Sequence, residues 1–359
     1  MGLNSIMAFR VRSALALFLI LTVAARAQSH LRIRETAGLA RTNEPVTIKS
    51  ADGKTEQTYF VTIAANETRT FALAELKPQE QLKVTRTDPV GYTVESSVFL
   101  ADLSKRVVNG LEEDSGTLRA LTIKAAGVKL LRTQNRMHWA PSFQRVGARN
   151  YTSLALWTPV ERVKHLTGDG WLKATRAGNM MLYPEIKLET AYRFYAHVPY
   201  FVFDATMTIA SAIHMFWLRG QEMTMDDFFT HVVVPDRSGS PRVMKFDERK
   251  PILEKEPLAP DAWVAFVNLD KGYGFGAVPL AYSATTETNP HLSIDDGANN
   301  GKYWDRHIIS RQATPLRPGD KYVERTAFVV FQTKPGAPAA EFLAWRDRLL
   351  KPLEAELVR

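Results

Sequence analysis

The sequence predicts an all-β protein: a small N-terminal β-sandwich, a much larger antiparallel β-sandwich after it, and a helix at the C-terminal end. Three observations carry this. Segments such as "QTYFVTIA" (57–64), "YTVESSVFLA" (92–101), "TLRALTIKA" (117–125), "AWVAFVNL" (262–269) and "RTAFVVFQT" (325–333) are rich in β-branched and aromatic residues. Turn signals such as "ADGK", "TGDG", "RSGSP", "LDKGYG" and "DDGANNG" punctuate them. Helical spacing is confined to the tail, where Phe342, Leu343, Trp345, Leu349 and Leu350 recur with charges between them.

Taken in order, residues 1–27 read as an export signal. Arg10 and Arg12 precede the apolar "SALALFLILTVAA", and Ala25 and Ala27 place small residues at a cleavage site before Gln28. The apolar run is short for a membrane span of about 20 residues, and an uncleaved anchor is the alternative reading. Cleavage leaves 332 residues and removes three arginines, which takes the net charge from +8 to +5. A periplasmic or secreted protein of that size needs no staples, and the chain has no cysteine, which excludes disulfides, thiolate metal sites and thiol nucleophiles. Mild basicity suits a polyanionic ligand such as a uronate polysaccharide. No nucleic-acid motif or long Lys/Arg run is present.

Residues 28–104 read as the N-terminal sandwich, 105–335 as the large one, and 336–359 as a helix packed on it. In "YRFYAHVPYFVFDATMTIA" (192–210), Phe201, Phe203, Ala205, Met207 and Ile209 fall on one face, and Val202, Asp204, Thr206 and Thr208 on the other. Arg193, Tyr195 and His197 share a face upstream. Strict alternation would put Arg193 with Phe201, so a bulge or strand break is expected near Pro199.

Three stretches carry a resemblance: "GTLRALTIKAAG" (116–127), "YRFYAHVPYFVFDATMTI" (192–209) and "TPLRPGDKYVERTAFVVF" (314–331). Together they resemble the galactose-mutarotase-like family of β-supersandwiches, which includes sandwich domains of several polysaccharide lyases. The last is similar to that superfamily's closing hairpin, with Pro318–Gly319 in the turn. "RIRETAGLARTNEPVTI" (32–48) is similar to the opening strand of rhamnogalacturonan exolyase-like proteins. The resemblance covers about two-thirds of the chain, and it implies a β-supersandwich and a carbohydrate ligand. An aldose epimerase of this family pairs a histidine acid with a glutamate base shortly before the closing hairpin. Glu287 in "TTETNPH" lies in that region, but its surroundings do not match, so that mechanism is not carried over.

Four polar clusters could carry chemistry. In "RGQEMTMDDFFTHVVVPDR" (219–237), a single straight strand would put Glu222, Thr224 and Asp226 on one face and Asp227, Phe229, His231 and Val233 on the other. His231 meets the carboxylates only if the chain bends at Asp226–Asp227; otherwise this is a sheet edge with a structural histidine. In "GKYWDRHIISR" (301–311), Tyr303, Asp305 and His307 alternate with Trp304 and Arg306. Tyr303 or His307 could act as base, Arg306 could neutralise a carboxylate, and Trp304 could stack on a sugar; the alternative is a strand with aromatic residues inward. Asn135, Arg136, His138 and Trp139 crowd "TQNRMHWAPSF" (133–143), with His138 as a base and Arg136 and Trp139 as substrate contacts. Arg193, Tyr195 and His197 form the fourth cluster, with Arg193 to bind a substrate carboxylate and Tyr195 as a further substrate contact.

No cofactor is expected. "SIDDGANNG" is rich in oxygen donors for Ca²⁺ but lacks the EF-hand register. No His-x-x-x-His pair, phosphate loop or G-x-S-x-G elbow occurs. The expectation is an exported carbohydrate-active protein that degrades an acidic polysaccharide by β-elimination or hydrolysis. A non-catalytic glycan-binding module and a structural periplasmic subunit are the alternatives.

Overall fold

The strand Tyr200–Ile209 shows how the alternation is used. Phe201, Phe203, Ala205, Met207 and Ile209 are buried, while Asp204, Thr206 and Thr208 are half-buried on the opposite face. A computed structural model describes residues 30–358 apart from 51–54, 77–80, 109, 131–136, 139, 158–159, 226–227 and 297–300. The export signal, Arg136, Trp139, Asp226 and Asp227 therefore lie outside the described residues.

The described residues form two units. In the first, His30–Arg34 pairs antiparallel with both Thr68–Ala72 and Glu354–Val358, and Arg41–Lys49 pairs with Glu56–Ile63. Leu31, Ile33, Val46, Val61, Ile63 and Phe71 fill its core. Glu35 ends the first strand. Its buried carboxylate accepts the backbone N–H groups of Ala37, Gly38, Leu39 and Asn66 at 2.9, 2.9, 3.1 and 2.9 Å. Burial pushes this carboxyl up, but the four N–H donors outweigh burial and bring it down to about 2. Its contribution to stability is therefore complete above about pH 4.5 and is lost as pH falls towards 2. Glu35→Gln is expected to cost about 2 kcal/mol at neutral pH and to flatten this acid limb, measured by urea unfolding across pH.

The second unit holds the larger sandwich. Its nine-stranded antiparallel sheet runs, in spatial order, Arg162–Gly168, Trp171–Met180, Tyr183–Tyr195, Tyr200–Ile209, Lys321–Gln332, Tyr273–Ala284, Val264–Asn268, His231–Pro235 and Pro241–Lys245. Two five-stranded sheets pack on its inner face. One is Val128–Leu130, Ala120–Ile123, Phe99–Asp102, Tyr92–Glu95 and Lys83–Arg86; the other is Thr152–Ser153, Ser142–Arg145, Ile213–Met225, Lys302–Leu316 and His291–Asp296. Phe99 meets Phe194 and Phe201 in the first contact, and Phe143 meets Tyr183 in the second. Residues 83–102, grouped by sequence with the N-terminal sandwich, lie in this unit because their strands pair with Ala120–Ile123.

Two local expectations change form. The parity reset near Pro199 is a full reversal: Tyr183–Tyr195 and Tyr200–Ile209 are a hairpin in which Arg193 faces Val202. The segment around Pro318–Gly319 is an arch, because Lys302–Leu316 and Lys321–Gln332 belong to different sheets. Gly319, at φ +93°, supports the tight corner. The C-terminal helix spans Ala340–Leu350, and its buried Phe342 contacts Phe331 and Trp263. Glu354–Val358 then continues as a strand of the first unit. Among the described residues, no helix is long and apolar enough to cross a membrane.

Candidate functional site

The two long strands Ile213–Met225 and Lys302–Leu316 lie side by side in the second five-stranded sheet. Along the latter, Trp304 and Arg306 point into the sandwich, which sends Tyr303, Asp305 and His307 to the outer face. The pairing slips where function-bearing residues gather. Leu218 faces Ile309, Arg219 faces His307, and Glu222 faces Asp305, so each strand carries an unmatched residue in turn.

Gly220 sits in that slip because nothing larger fits. A Cβ there would lie 1.8 Å from Oε2 of Glu324, a residue of the nine-stranded sheet. Glu324 reaches across the sandwich, accepts the Gln221 N–H at 2.8 Å, and pairs with Arg306. Arg306 in turn donates Nε to the Pro260 carbonyl at 2.6 Å and lies over the Tyr282 ring at 4.4 Å. Burial pushes the Glu324 carboxyl up, with Arg306 and the Gln221 amide acting against it. This pair braces the bulge from beneath.

On the outer face, Arg219 Nη1 donates to Asp305 Oδ2 at 2.5 Å and its Nε to Ser142 Oγ at 3.2 Å. Asp305 Oδ1 lies 3.1 Å from His307 Nε2. Glu222, opposite Asp305, accepts the Thr224 hydroxyl at 2.9 Å. The His307 ring stacks on His291 at 4.2 Å and 10°, and meets Trp217 edge-on at 4.9 Å. Arg219, Glu222, Asp305 and His307 are all buried, and neither Asp305 Oδ1 nor His307 Nδ1 makes a hydrogen bond among the described residues. Burial raises Asp305, but the His307 contact and the Arg219 cation hold it below the usual carboxylate range. Burial works against the Arg219 charge, and Glu222 and Asp305 more than offset it. Tyr303 is pushed up to about 12 by burial first, then by Asp295, whose carboxylate accepts its hydroxyl at 3.5 Å. Its hydroxyl therefore stays protonated.

Chemically, the Asp305 carboxylate is an ion-pairing neighbour of His307 Nε2, without a formed hydrogen bond, and Nδ1 is the ring nitrogen left open to a substrate proton. Arg219 keeps Asp305 ionised. Glu222 adds a second carboxylate on the neighbouring strand. The arrangement can take up and return one proton at a defined point.

Of the residues singled out by sequence, Glu222, Tyr303 and His307 converge here. Four others do not. Trp304 is fully buried on the inner side, so it offers no platform to a sugar, and Arg306 is held there by Glu324. His231 is separated from Glu222, because the chain leaves one sheet at Met225 and joins the other at His231. His231 contacts the Thr230 hydroxyl at 2.9 Å. His138 is buried between the sheets, 4.3 Å from the Phe203 ring, and its Nδ1 shares a hydrogen bond of 2.8 Å with the Tyr192 hydroxyl, which also accepts the Leu118 N–H. Arg193 pairs with Asp204 on the outer face of the nine-stranded sheet, and Tyr195 is buried against Tyr200.

Burial lowers His138 to about 3, so it is neutral and structural. Its stabilisation is complete above about pH 6.5 and declines as pH falls towards 3. His138→Ala is expected to cost about 2–4 kcal/mol in urea unfolding while the folded fraction keeps its specific activity. Arg219 is the site residue that sequence reading passed over. It opens "RGQEM", but its partner Asp305 is 86 residues away. For Ca²⁺, no group of three or more His, Asp and Glu residues able to hold a metal occurs among the described residues, and residues 297–300 of the acidic loop lie outside them.

The architecture resembles that of an α-mannosidase from Enterococcus faecalis V583, with a TM-score of 0.50 and 10% identity over 96% of this chain and 42% of that one. Weaker likenesses are a glycosyl hydrolase family 38 protein from Enterococcus faecalis (TM-score 0.47, 9% identity, 96% of this chain and 43% of that one) and a putative aldose 1-epimerase from Escherichia coli K12 (TM-score 0.37, 8% identity, 70% and 100%). This chain thus spans less than half of the two larger proteins. No protein-family model and no curated protein sequence matches it. At such identities the likeness extends to the β-sandwich fold alone.

Proposed function

We propose that this chain processes a saccharide at the outer face of the second five-stranded sheet, with His307 as its proton-transferring group. The observation that carries this is the buried Arg219–Asp305–His307 relay at a double slip in the strand pairing. A buried charged network is poor value for stability alone, and bulged ladders recur beside sites. With the leader read in residues 1–27, the protein acts outside the cytoplasm.

The reaction this arrangement fits best is β-elimination from a uronate unit. His307 Nδ1 takes the C5 proton, the C–H electron pair becomes the C4–C5 double bond, and the C4–O bond breaks. The imidazolium then returns the proton to the departing oxygen, so one group serves as base and acid. Arg219 offsets part of the negative charge that Asp305 and Glu222 place beside the imidazole. His291, on the edge strand, covers the imidazole and must swing aside to admit substrate. Hydrolysis is a second reading with one observation behind it: Glu222 and Asp305 face each other directly, at about the 5 Å spacing of cross-strand pairs.

The test is incubation of the purified protein with uronate-containing and neutral polysaccharides, read both as ultraviolet absorbance and as new reducing ends. Rising absorbance is expected on a uronate polymer. New reducing ends without absorbance would replace elimination by hydrolysis, and silence in both would overturn the enzymatic reading.

A further inference from the structure

The outer face of the nine-stranded sheet is strongly cationic. Strand register places Arg162 and Lys164, Lys173, Lys187 and Arg193, and Lys321 and Arg325 on it, from four of the five strands between Arg162–Gly168 and Lys321–Gln332. The carboxylates among them are Glu189 and Asp204, with Glu161 at the border. Asp204 is shared by Arg193 and by Arg325, whose Nε lies 3.4 Å away, so this carboxylate offsets only one of two guanidinium charges. Five strands at about 4.8 Å, and the six steps from Lys187 to Arg193 at about 3.4 Å each, make a field of roughly 20 by 20 Å. The edge sheet of the first unit differs: Arg32 and Arg34 there are matched by Glu356 and Glu354.

We propose that this face docks a polyanionic polysaccharide, one whose carboxylates or sulfates repeat along the chain. The polymer class rests on the saccharide reading above; the charge does not. Thr175, Thr206 and Thr208 stand between the cations, half-buried, and their hydroxyls can donate to and accept from sugar hydroxyls. Side chains of this kind offer no aromatic platform for a nucleobase and no apolar wedge for a bilayer. A cavity of about 330 Å³ opens on the same face, lined by Arg162, Asn179, Lys187, Glu189, Thr206 and Thr208, which gives the polymer a seat. Arg193, expected from sequence to hold a substrate carboxylate, belongs to this field. Repeated charge spacing, rather than a single strong contact, sets the affinity, so binding falls with salt.

The test is binding of the full chain to immobilised polygalacturonate, alginate and neutral dextran at low and high salt, in wild-type and His307→Ala backgrounds. Binding to the charged polymers and not to dextran is expected, with loss at high salt. The variant Lys164→Glu/Lys187→Glu/Lys321→Glu should weaken it tenfold or more. Lys129→Glu/Lys250→Glu/Lys255→Glu, which changes net charge equally at exposed sites elsewhere, should weaken it far less. Equal weakening by both variants, or none by the first with native circular dichroism, overturns the docking face. Tighter, face-dependent binding of duplex DNA or phosphatidylglycerol vesicles overturns the polymer class. If dextran binds as well as the charged polymers, only this proposal fails; if no saccharide binds any variant, the saccharide reading fails with it.

Discussion

His307→Ala is expected to lower turnover by about 10²- to 10⁴-fold, the usual contribution of a general acid–base group, with circular dichroism and urea midpoint close to wild type. The ring is tucked under His291 and beside Trp217 rather than in the aromatic core between the sheets, so its removal leaves the main packing intact. Asp305→Asn should act through the same group. It keeps the shape but loses the negative charge 3.1 Å from Nε2, so kcat should fall with little change in KM. The two substitutions together should cost hardly more than His307→Ala alone, because they disable one unit. Independent, multiplicative losses would show that Asp305 does not act through the imidazole.

The largest stability effect is expected at Arg306. Arg306→Met leaves the Glu324 carboxylate buried between the sheets without its cation, at a cost of about 3–5 kcal/mol in urea unfolding. Pairing that change with Glu324→Gln should recover much of the loss, since no uncompensated charge then remains and the amide oxygen can still accept the Gln221 N–H. Equal instability of the single and double variants would mean that the pair's worth lies in packing against Tyr282 rather than in charge.

The strand faces were legible because burial follows period two. Phe201 and Phe203 point inward, Asp204 and Thr206 outward, and Tyr303, Asp305 and His307 share the face that alternation assigns them. What alternation could not supply is partnership between distant strands. Arg219 meets Asp305 only because Ile213–Met225 pairs with Lys302–Leu316, and the slip at Gly220 depends on Glu324 from a third strand. Change of sheet is equally silent. "EMTMDDFFTHVVV" holds no Gly or Pro to mark a turn, yet its two halves belong to different sheets, which removes His231 from the site. His138 and Trp304 misled for the opposite reason: polar or aromatic residues suited to chemistry are also suited to a buried aromatic core, and one strand carries no mark of which surface receives them.

The location of the site is tested most directly by hydrogen–deuterium exchange with and without a short oligosaccharide, too small to span the cationic face of the other sheet. Slower exchange is predicted along the edge strand His291–Asp296 and in the bulged stretches 217–222 and 303–309, with residues 231–235 unchanged. Protection confined to other surfaces, with these stretches unaffected by saturating ligand, would contradict the assignment of the Arg219–Asp305–His307 relay as the saccharide site.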